Sequence, residues 1–552
     1  MKKHSICLIY ILISTILFAQ EALKSTEEEY YDFLSLQEIV ERPTIGYRTL
    51  SDSVWQFDDE QEHVWKDNNL GSWFTLWEPE NTTDNTFTRG LRQGLFAKVY
   101  GPEWFNSFNA TRPYGQNDGA LWQGKGYNTS LTTGFRLEGY GFEATFKPQV
   151  SFSQNLKFEY LPGVYGDTHS YFTYGNIDLV QRFGDAPFWN YDWGDSEIRW
   201  TWKSLTFGFG NQNPWLGPAM LNPMLGSNNA ASYTKFDAGL RKLELILPNG
   251  LSLGSIEGRI WVGKLEESEY FDKDESNNDR MLTAMSASYD VPVVPGLTIG
   301  LNRVFLTYWR TENFKYILRL FTASKLNALA SSGNDEDQKF ALFVNWNFPQ
   351  IGFRFYGELG MDDFSYNENT NPYHTAIYTG GIEQIIPISS NIKSQLILEW
   401  NGFESSQDFQ LQWPYLGYYA HGFVQQGYTN KGQILGAGSG YFGNNQFVEY
   451  KVYYPKGYSG FKFQRNCPNI NWVYNKAVND SANNGDSDLN RDWYANYETF
   501  FYYGIESCYY LLNNLQFTLD LAYIRIHCPL YNNDKKDQKS NCHISFLMKY
   551  NF

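Results

Sequence analysis

The sequence lacks any uninterrupted apolar run long enough to cross a bilayer as a helix. The run from Ile6 to Phe18 is too short to span, but it follows Lys2, Lys3 and His4. A basic start, a short apolar stretch and a small residue near its end are typical of a signal peptide. We therefore predict a cleaved signal peptide over residues 1–20. An exported chain without a spanning helix can be a membrane protein only as a β-barrel.

Cysteine and histidine are scarce, with 5 and 7 residues in a chain of 552. The sequence has no C-x-x-C pair and its histidines are scattered, which argues against a zinc site. In an oxidising compartment the four cysteines after the signal peptide predict one or two disulfides, and three full pairings stay open. These cysteines are Cys467, Cys508, Cys528 and Cys542.

Catalytic motifs are also missing: there is no G-x-S-x-G, no P-loop and no H-E-x-x-H. The segments that start at Asp272 and Asp486 resemble calcium loops but lack the required glycine and closing glutamate. Glu358, Asp362 and Asp363 fit an inward polar row and a loop better than a glycosidase pair, since two carboxylates alone are weak evidence. We predict a protein that is not an enzyme, with no cofactor and no metal.

Positive charge is in deficit, because 44 Lys and Arg face 60 Asp and Glu and leave a net charge of −16. This balance argues against nucleic acid or another polyanion as a nonspecific partner. Aromatic residues are abundant, at 18%, although the mean hydropathy is −0.48. That combination is typical of barrels with aromatic girdles, a polar lumen and long loops, and carbohydrate-binding β-proteins share it.

Alternating hydrophobicity dominates the chain from about Gly94 onward. In the final stretch, Ile544 to Phe552, one parity is apolar and aromatic and the other is mostly polar. Short turns such as Pro248-Asn249-Gly250 join similar strands. The polar faces carry both charge signs, which a dry core could not hold without pairing. We predict an all-β protein, a large transmembrane antiparallel barrel of about sixteen to twenty strands with a wet or plugged lumen.

Long polar connections alternate with the short turns, as expected when the long loops face the cell exterior. One of them, from Glu312 to Ala330, has the spacing of an amphipathic helix. The sequence leaves open whether this helix lies in the lumen or on the outer surface.

The region before the strands is predicted to be helical. Ser25 and the acidic residues after it form an N-cap and first turn, and Pro43 ends the segment. A second short helix is predicted from Ser51. We assign residues 21–85 to a small periplasmic cap or plug and 86–552 to the barrel with long extracellular loops.

The stretch from Gly208 to Leu240 is rich in glycine, proline and asparagine. Amides can form paired hydrogen bonds with sugar hydroxyls, and an indole can stack on a sugar ring. The alternative is a tightly folded loop whose amides cap backbone groups, because Asn and Gly are turn formers. The candidate polysaccharide-binding residues here are Trp215, Asn211, Asn213, Ser227, Asn228 and Asn229.

Two aromatic clusters offer further stacking candidates, namely Trp189, Trp193 and Trp413. Barrels also place aromatic residues at both membrane boundaries, so each of these could instead belong to a girdle.

The chain resembles the Wzi family of outer-membrane capsule-assembly proteins at Trp215-Leu216-Gly217-Pro218 and Ser227-Asn228-Asn229-Ala230. Three more segments support it: Glu41-Arg42-Pro43, Gly124-Lys125-Gly126-Tyr127-Asn128 and Gly300-Leu301-Asn302-Arg303. The resemblance implies a monomeric barrel of about eighteen strands with a small helical bundle at the periplasmic end. It also implies lectin-like binding of exported capsular or other surface polysaccharide, which the protein helps to assemble on the cell surface without catalysis. Gly217 and Pro218 match the family signature as structural residues.

The chain departs from the family in having Pro214-Trp215 where two tryptophans are common. The expected partners are the polysaccharide, outer-membrane lipid and the barrel-assembly machinery, which would receive the C-terminal strand ending in Phe552. A porin or solute-uptake channel of the outer membrane is the alternative function.

Overall fold

A computed structural model describes residues 18–19, 25–57, 62–83, 85–161, 177–272, 274–322, 336–362, 376–403, 417–470, 497–532 and 539–552. Within these residues, eighteen antiparallel strands close into a barrel, as predicted. The strands are β1 (Leu95–Asn109), β2 (Gly126–Gly139), β3 (Phe142–Phe146 and Gln149–Ser153), β4 (Phe188–Asp192 and Glu197–Trp202), β5 (Leu205–Gly210), β6 (Lys235–Ile246), β7 (Ser252–Glu266), β8 (Asp279–Asp290), β9 (Leu297–Tyr308), β10 (Glu336–Phe348), β11 (Phe353–Asp362), β12 (Ile377–Ser389), β13 (Ile392–Gly402), β14 (Asn444–Tyr454), β15 (Gly457–Cys467), β16 (Thr499–Leu512), β17 (Leu515–His527) and β18 (Lys539–Tyr550).

The strands follow the alternation in the sequence. In β11, Arg354 and Glu358 are buried on the inner face, whereas Phe355 and Leu359 are exposed on the outer face. An apolar outer face and a polar inner face are what a lipid-embedded barrel requires. No helix in the described parts of the chain is long and apolar enough to span a membrane.

Connections of two to six residues join alternate strand pairs at one end of the barrel, and the longer loops lie at the other. Gly250, in the turn between β6 and β7, has φ +85°, which only glycine adopts readily. The predicted asymmetry of short turns and long loops is therefore present.

The seam of the barrel joins β18 to β1, with pairs that run from His543 and Asn109 to Lys549 and Glu103. A short strand, Trp73–Trp77, pairs with the first residues of β1. It continues the line of β18, because the Ser72 amide donates to the Phe552 carbonyl at 2.8 Å. The region before the barrel thus helps to close it.

The predicted N-terminal helix is present as α1 (Thr26–Ser35). It does not extend to Pro43 as predicted, because Val40–Glu41 is a strand that pairs with Trp55–Phe57. The Ser25 hydroxyl accepts a hydrogen bond from the Glu28 amide at 3.1 Å, which is the predicted N-cap. The predicted second helix at Ser51 is wrong, because Trp55–Phe57 is a strand paired with Phe18–Ala19 and Val40–Glu41. Its aromatic residues favour strand pairing.

The helix predicted from Glu312 to Ala330 is confirmed in part, because the described residues are helical only as far as Arg319. A 3-10 turn (Thr311–Lys315) leads into the four-residue α2 (Tyr316–Arg319), and residues 323–330 lie outside the described residues. The Arg303 guanidinium donates to the Arg319, Leu320 and Thr322 carbonyls. Those interactions hold the chain where a longer helix would continue.

Of the one or two predicted disulfides, the arrangement with two disulfides is not formed. Cys508 and Cys542 carry free thiols, and every full pairing requires both. In the register of β17, Cys508 lies opposite Thr518 and Cys542 opposite Tyr523. Five residues along a strand separate these positions by roughly 17 Å, far beyond the reach of a disulfide.

Candidate functional site in the barrel lumen

Three segments occupy the lumen. The N-terminal segment (residues 25–57) lies at the short-turn end, and the inner loop (211–234) and the upper loop (417–443) lie further toward the long-loop end. The first two are joined directly, because Tyr47 and Arg48 pair with Leu216 and Trp215. Their apolar residues form a core inside the barrel, so the lumen is filled by folded chain.

Ion pairs hold the N-terminal segment to several sides of the wall. Three acidic side chains of α1 each meet a cation on a different strand: Glu27 with Lys549 at 2.7 Å, Glu29 with Lys451 at 2.7 Å, and Asp32 with Arg354 at 3.1 Å. Further along the segment, Asp52 pairs with Arg259 at 2.9 Å and Arg241 at 3.0 Å. Buried ion pairs of this kind fix the position of a segment, because moving it would leave buried charges without a partner, which costs free energy.

One carboxyl of this segment forms hydrogen bonds within the segment instead of with the wall. Glu28 accepts a hydrogen bond from the Trp55 indole at 2.6 Å and another from the Ser53 hydroxyl at 3.3 Å. Burial raises the pKa of Glu28 to about 7, although Arg48 and Arg42 oppose the shift. The N-terminal segment therefore contains a group that titrates near neutral pH.

The inner loop is bound to the wall through its backbone. Glu399 on β13 accepts from the amides of Met220, Leu221 and Asn222 at 2.7–3.0 Å, and Glu358 on β11 accepts from Ala219 and Met224. Carboxylates that accept several backbone N–H groups form strong charge-assisted bonds. These two side chains are the docking points of the loop, so the structure gives Glu358 a positioning role. Asp362, which was also considered as a glycosidase carboxylate, forms an ion pair with Lys339 at 2.6 Å.

The resemblance motif lies within this docked loop. Trp215 is buried and its indole N–H donates to the Ala219 carbonyl at 2.9 Å. Gly217 has φ +86°, and a Cβ at this position would lie 2.6 Å from Oε1 of Glu358. Arg48 donates to the Gly217 carbonyl at 2.9 Å. The motif thus shapes the loop and fits it to the wall.

Two further predicted residues join the inner loop to the upper loop. The Ser227 hydroxyl donates to the Gly436 carbonyl at 2.6 Å, and the Asn229 amide donates to the Ile434 carbonyl at 3.0 Å. Tyr419 of the upper loop donates to the Met224 carbonyl at 2.7 Å. Ser227 and Asn229 are therefore engaged within the protein.

A polar space remains between α1, the inner loop and the loop from 110 to 125. It consists of two cavities of about 270 and 350 Å³ that share part of their lining, and we call it the lumenal cavity. The predicted residues Asn213 and Asn228 line it, together with Asn117 and Asp118. Burial raises the pKa of Asp118 to about 7.

Two side-chain amides of the cavity lining contain buried acceptors. The Nδ2 atoms of Asn117 and Asn213 donate to the Leu221 and Ala230 carbonyls at 3.1 and 2.9 Å. Their Oδ1 atoms are buried and have no hydrogen-bond partner among the described residues. A buried acceptor without a partner costs free energy.

The other predicted residues lie apart from the cavity. Asn211 donates to the Thr234 hydroxyl at 3.1 Å near the loop surface. Trp189 and Trp193 are exposed on the outer face of the barrel, as girdle residues would be. Trp413 lies outside the described residues. The Asp272 and Asp274 side chains accept from nearby backbone amides in turns, and the segment from Asp486 is not described.

Sequence reasoning missed Asn117, Asp118, Glu103 and Lys147, which line the cavity from β1, β3 and the loop after β1. These residues are single polar positions in separate elements. Only the closed barrel brings them together, so no local pattern could have identified them.

The fold and the filled lumen define a class, a closed transmembrane β-barrel of the bacterial outer-membrane type. No family model and no curated protein matches the sequence. Among solved structures, the chain is similar to Wzi of Escherichia coli, an outer-membrane carbohydrate-binding β-barrel involved in group 1 capsule assembly, with 11% identity and a TM-score of 0.54 over 82% of this chain and 85% of that one. It also matches OccK8 (OprE) of Pseudomonas aeruginosa with 10% identity and a TM-score of 0.39 over 83% and 97%, and OprD of Pseudomonas aeruginosa with 8% and 0.38 over 82% and 92%. At such identities the likeness concerns the fold alone.

Proposed function

We propose that this protein is a non-enzymatic outer-membrane barrel that binds exported capsular or other surface polysaccharide and helps to assemble it on the cell surface. The observation that carries the proposal is the lumen, filled by three segments that are bonded to the wall and to one another. A binding scaffold needs such rigid support.

The filled lumen supports binding over conduction. A porin of this size would need an aqueous channel through the barrel, whereas here the N-terminal segment and the inner loop lie one behind the other along the axis. Both are held by buried charges, at Arg354 and at Glu399 among others.

Two further observations point the same way. The solved barrel with the highest TM-score cited above binds carbohydrate. The lumenal cavity is also lined by Asn117 and Asn213, and side-chain amides are a residue type that suits sugar hydroxyls. Five carboxylates and two lysines line the smaller of its two parts, the one of about 270 Å³. This charge balance favours neutral or amino-bearing sugar units over acidic ones.

The test is direct binding of surface polysaccharide extracted from the source organism to the full-length protein in lipid nanodiscs. We expect retention of this polysaccharide above that of dextran, and at least tenfold weaker retention by an Asn117→Ala/Asn213→Ala variant. Asn211→Ala serves as the control, because its amide belongs to the same loop but does not line the cavity. Equal retention of both glycans would contradict the function, and unchanged binding by the double variant would contradict the lumenal location.

A further inference from the structure

The segment from Trp309 to Thr322, which we call the outer-wall segment, packs against the outside of the barrel. Its residues Tyr316 and Leu320 form a buried cluster with Phe305 of β9. Phe305 has the same parity along β9 as Ile299, which is exposed on the outer face. The segment therefore covers the outer wall rather than the lumen, which answers the question that the sequence left open.

The outer-wall segment starts at the long-loop end of the barrel and folds back along the wall. Trp309 directly follows β9, and its amide donates to the carbonyl of Asp279, the first residue of β8, at 2.9 Å. Phe305, which the segment covers, lies three residues before Tyr308, the last residue of β9. At the rise of a strand this is roughly 10 Å below the strand end. The segment therefore lies beside the wall and does not project from the barrel.

Charged groups between the segment and the wall are bonded to each other. The Arg303 guanidinium of β9 donates to three carbonyls at the end of the segment, those of Arg319, Leu320 and Thr322, at 2.8 to 3.2 Å. Arg319 also forms an ion pair with Glu336 of β10 at 2.9 Å. Polar groups that lie next to hydrocarbon need partners within the protein, because no water is present to serve them.

The exposed face of the segment is apolar. Leu318 and Phe321 are 74% and 64% exposed. Phe314 and Trp309 are exposed too, and their rings form an edge-to-face pair with centroids 6.2 Å apart. A helical segment in water turns its polar side outward. Here apolar side chains lie outside and the ion pair lies against the wall, which is the arrangement of a surface in contact with lipid.

This apolar surface is continuous with the lipid-facing belt of the strands. Ile260 of β7 and Met285 of β8 pack against the buried residues of the segment. Val262, on the same face of β7, pairs with Phe236 of β6, which in turn pairs with Phe209 of β5. Both phenylalanines are exposed on the outer face. The acyl chains that surround the belt therefore also reach the segment.

We propose that the outer-wall segment is an interfacial membrane anchor, whose partner is the hydrocarbon of the leaflet around the long-loop end. Leu318, Phe321 and Phe314 insert among the acyl chains, while the exposed Thr311 and Glu312 stay at the level of the headgroups. Such binding depends on the buried apolar area of the segment. This inference is independent of the polysaccharide-binding proposal, because it concerns the opposite face of the wall.

Spin labels on the full-length protein in liposomes test the anchor. Each label is read by the ratio of its collisions with oxygen, which concentrates in hydrocarbon, to its collisions with a water-soluble nickel complex. The labelled variants are Leu318→Cys and Phe321→Cys in a Cys542→Ser background, since the three other described cysteines are buried. Leu342→Cys, on the exposed outer face of β10, is the lipid reference. Glu275→Cys, exposed in the polar connection between β7 and β8 at the same end, is the water reference.

We expect the oxygen-to-nickel ratio at Leu318 and Phe321 to lie within about twofold of that at Leu342 and to exceed that at Glu275 by at least about fivefold. All labelled positions are exposed, so heat-shifted electrophoretic mobility should report a folded barrel in each variant. A ratio nearer to that of Glu275 would mean that the surface meets water and would overturn the proposal. Few collisions with either reagent, together with dipolar broadening between labels, would mean that a second copy covers the surface and would overturn it as well.

Discussion

Gly217 shows how one residue can fix the path of the inner loop. Its φ of +86° would cost any other residue roughly 1–2 kcal/mol, and a Cβ would also lie 2.6 Å from Glu358. Gly250 has nearly the same φ, +85°, but no atom within 4 Å of its added Cβ. Comparing the same substitution at the two positions therefore separates the cost of backbone strain from the cost of the steric contact with Glu358.

We expect Gly217→Ala to lower the free energy of unfolding by about 2–5 kcal/mol, because overpacking adds to the strain. Gly250→Ala should cost only the strain, about 1–2 kcal/mol. Urea unfolding in liposomes measures both. Equal losses at the two sites would show that contact with Glu358 is unimportant.

Glu28 predicts a pH dependence of opposite sign to that of an ordinary paired carboxylate. Its folded-state pKa of about 7 lies above the usual 4.5, so between these values the native protein holds a proton that the unfolded chain has lost. This contribution to stability is therefore fully present below about pH 4.5 and declines as the pH rises to about 7.

Glu28→Gln keeps an acceptor for the Trp55 indole and removes the titration. We expect the variant to be more stable than the wild type at pH 7 by roughly 1–3 kcal/mol, with a difference that shrinks toward pH 4.5. Thermal melts across this range measure the difference. Glu38→Gln, an exposed position on the same segment, is the control. A constant difference across the range would contradict the shifted pKa.

At the scale of elements, the strands were predictable because alternation is a local property. In β11 and β18 the parity of apolar residues alone identified the lipid-facing side. The start of α1 was also local, since Ser25 caps it. Each of these features is encoded within a few neighbouring residues.

The failures had distant causes. Glu358 lies 134 residues from the Met224 amide that it accepts from, so the docking of the inner loop left no local pattern. The helix predicted from Glu312 is shortened because Arg303, on a neighbouring strand, engages the Arg319 and Leu320 carbonyls. Tertiary contacts overrode local propensity in both cases.

Different carboxylates of the barrel wall should hold the inner loop and the N-terminal segment in place. Glu399 accepts from Met220–Asn222, whereas Glu257 on β7 accepts from the Ile45 and Gly46 amides at 3.1 and 2.6 Å. A Gln at either site presents an N–H group where an acceptor was needed. Amides that lose a charged acceptor should exchange roughly ten- to a hundredfold faster.

Hydrogen exchange read by mass spectrometry tests this pair of variants. Glu399→Gln should release residues 219–224 and spare 44–46, and Glu257→Gln should do the reverse. Each variant is thus the control for the other. Release of both segments by either change would mean that the filling of the lumen unfolds as one unit.

At the scale of the whole molecule, the lumenal segments form two layers in series: the N-terminal segment is the first, and the inner loop with the upper loop bonded to it is the second. The N-terminal segment meets the wall near the short turns, and the inner loop meets it further along, at Glu358 and Glu399. Either layer alone should close the barrel. The wild-type protein should therefore show no steady conductance in a planar bilayer.

The N-terminal segment can be loosened without leaving its partner cations on the wall unpaired. Lys451 and Arg354 also contact the wall carboxylates Glu449 at 3.3 Å and Glu383 at 2.5 Å. The wall can thus neutralise these cations when the acids of α1 are removed, which lowers the cost of leaving them without a partner. A Glu27→Gln/Glu29→Gln/Asp32→Asn variant should consequently loosen the N-terminal segment without unfolding the barrel.

Neither that triple variant nor Glu358→Gln/Glu399→Gln should conduct by itself, because each leaves the other layer in place. The combination of all five substitutions should produce stepped openings, since a barrel of this size encloses an aqueous channel once its contents move. Glu38→Gln/Glu41→Gln, which changes exposed acids of the same segment, should stay silent. Steady conductance from the wild type would favour the porin alternative, and silence of the five-fold variant would contradict closure by two layers in series.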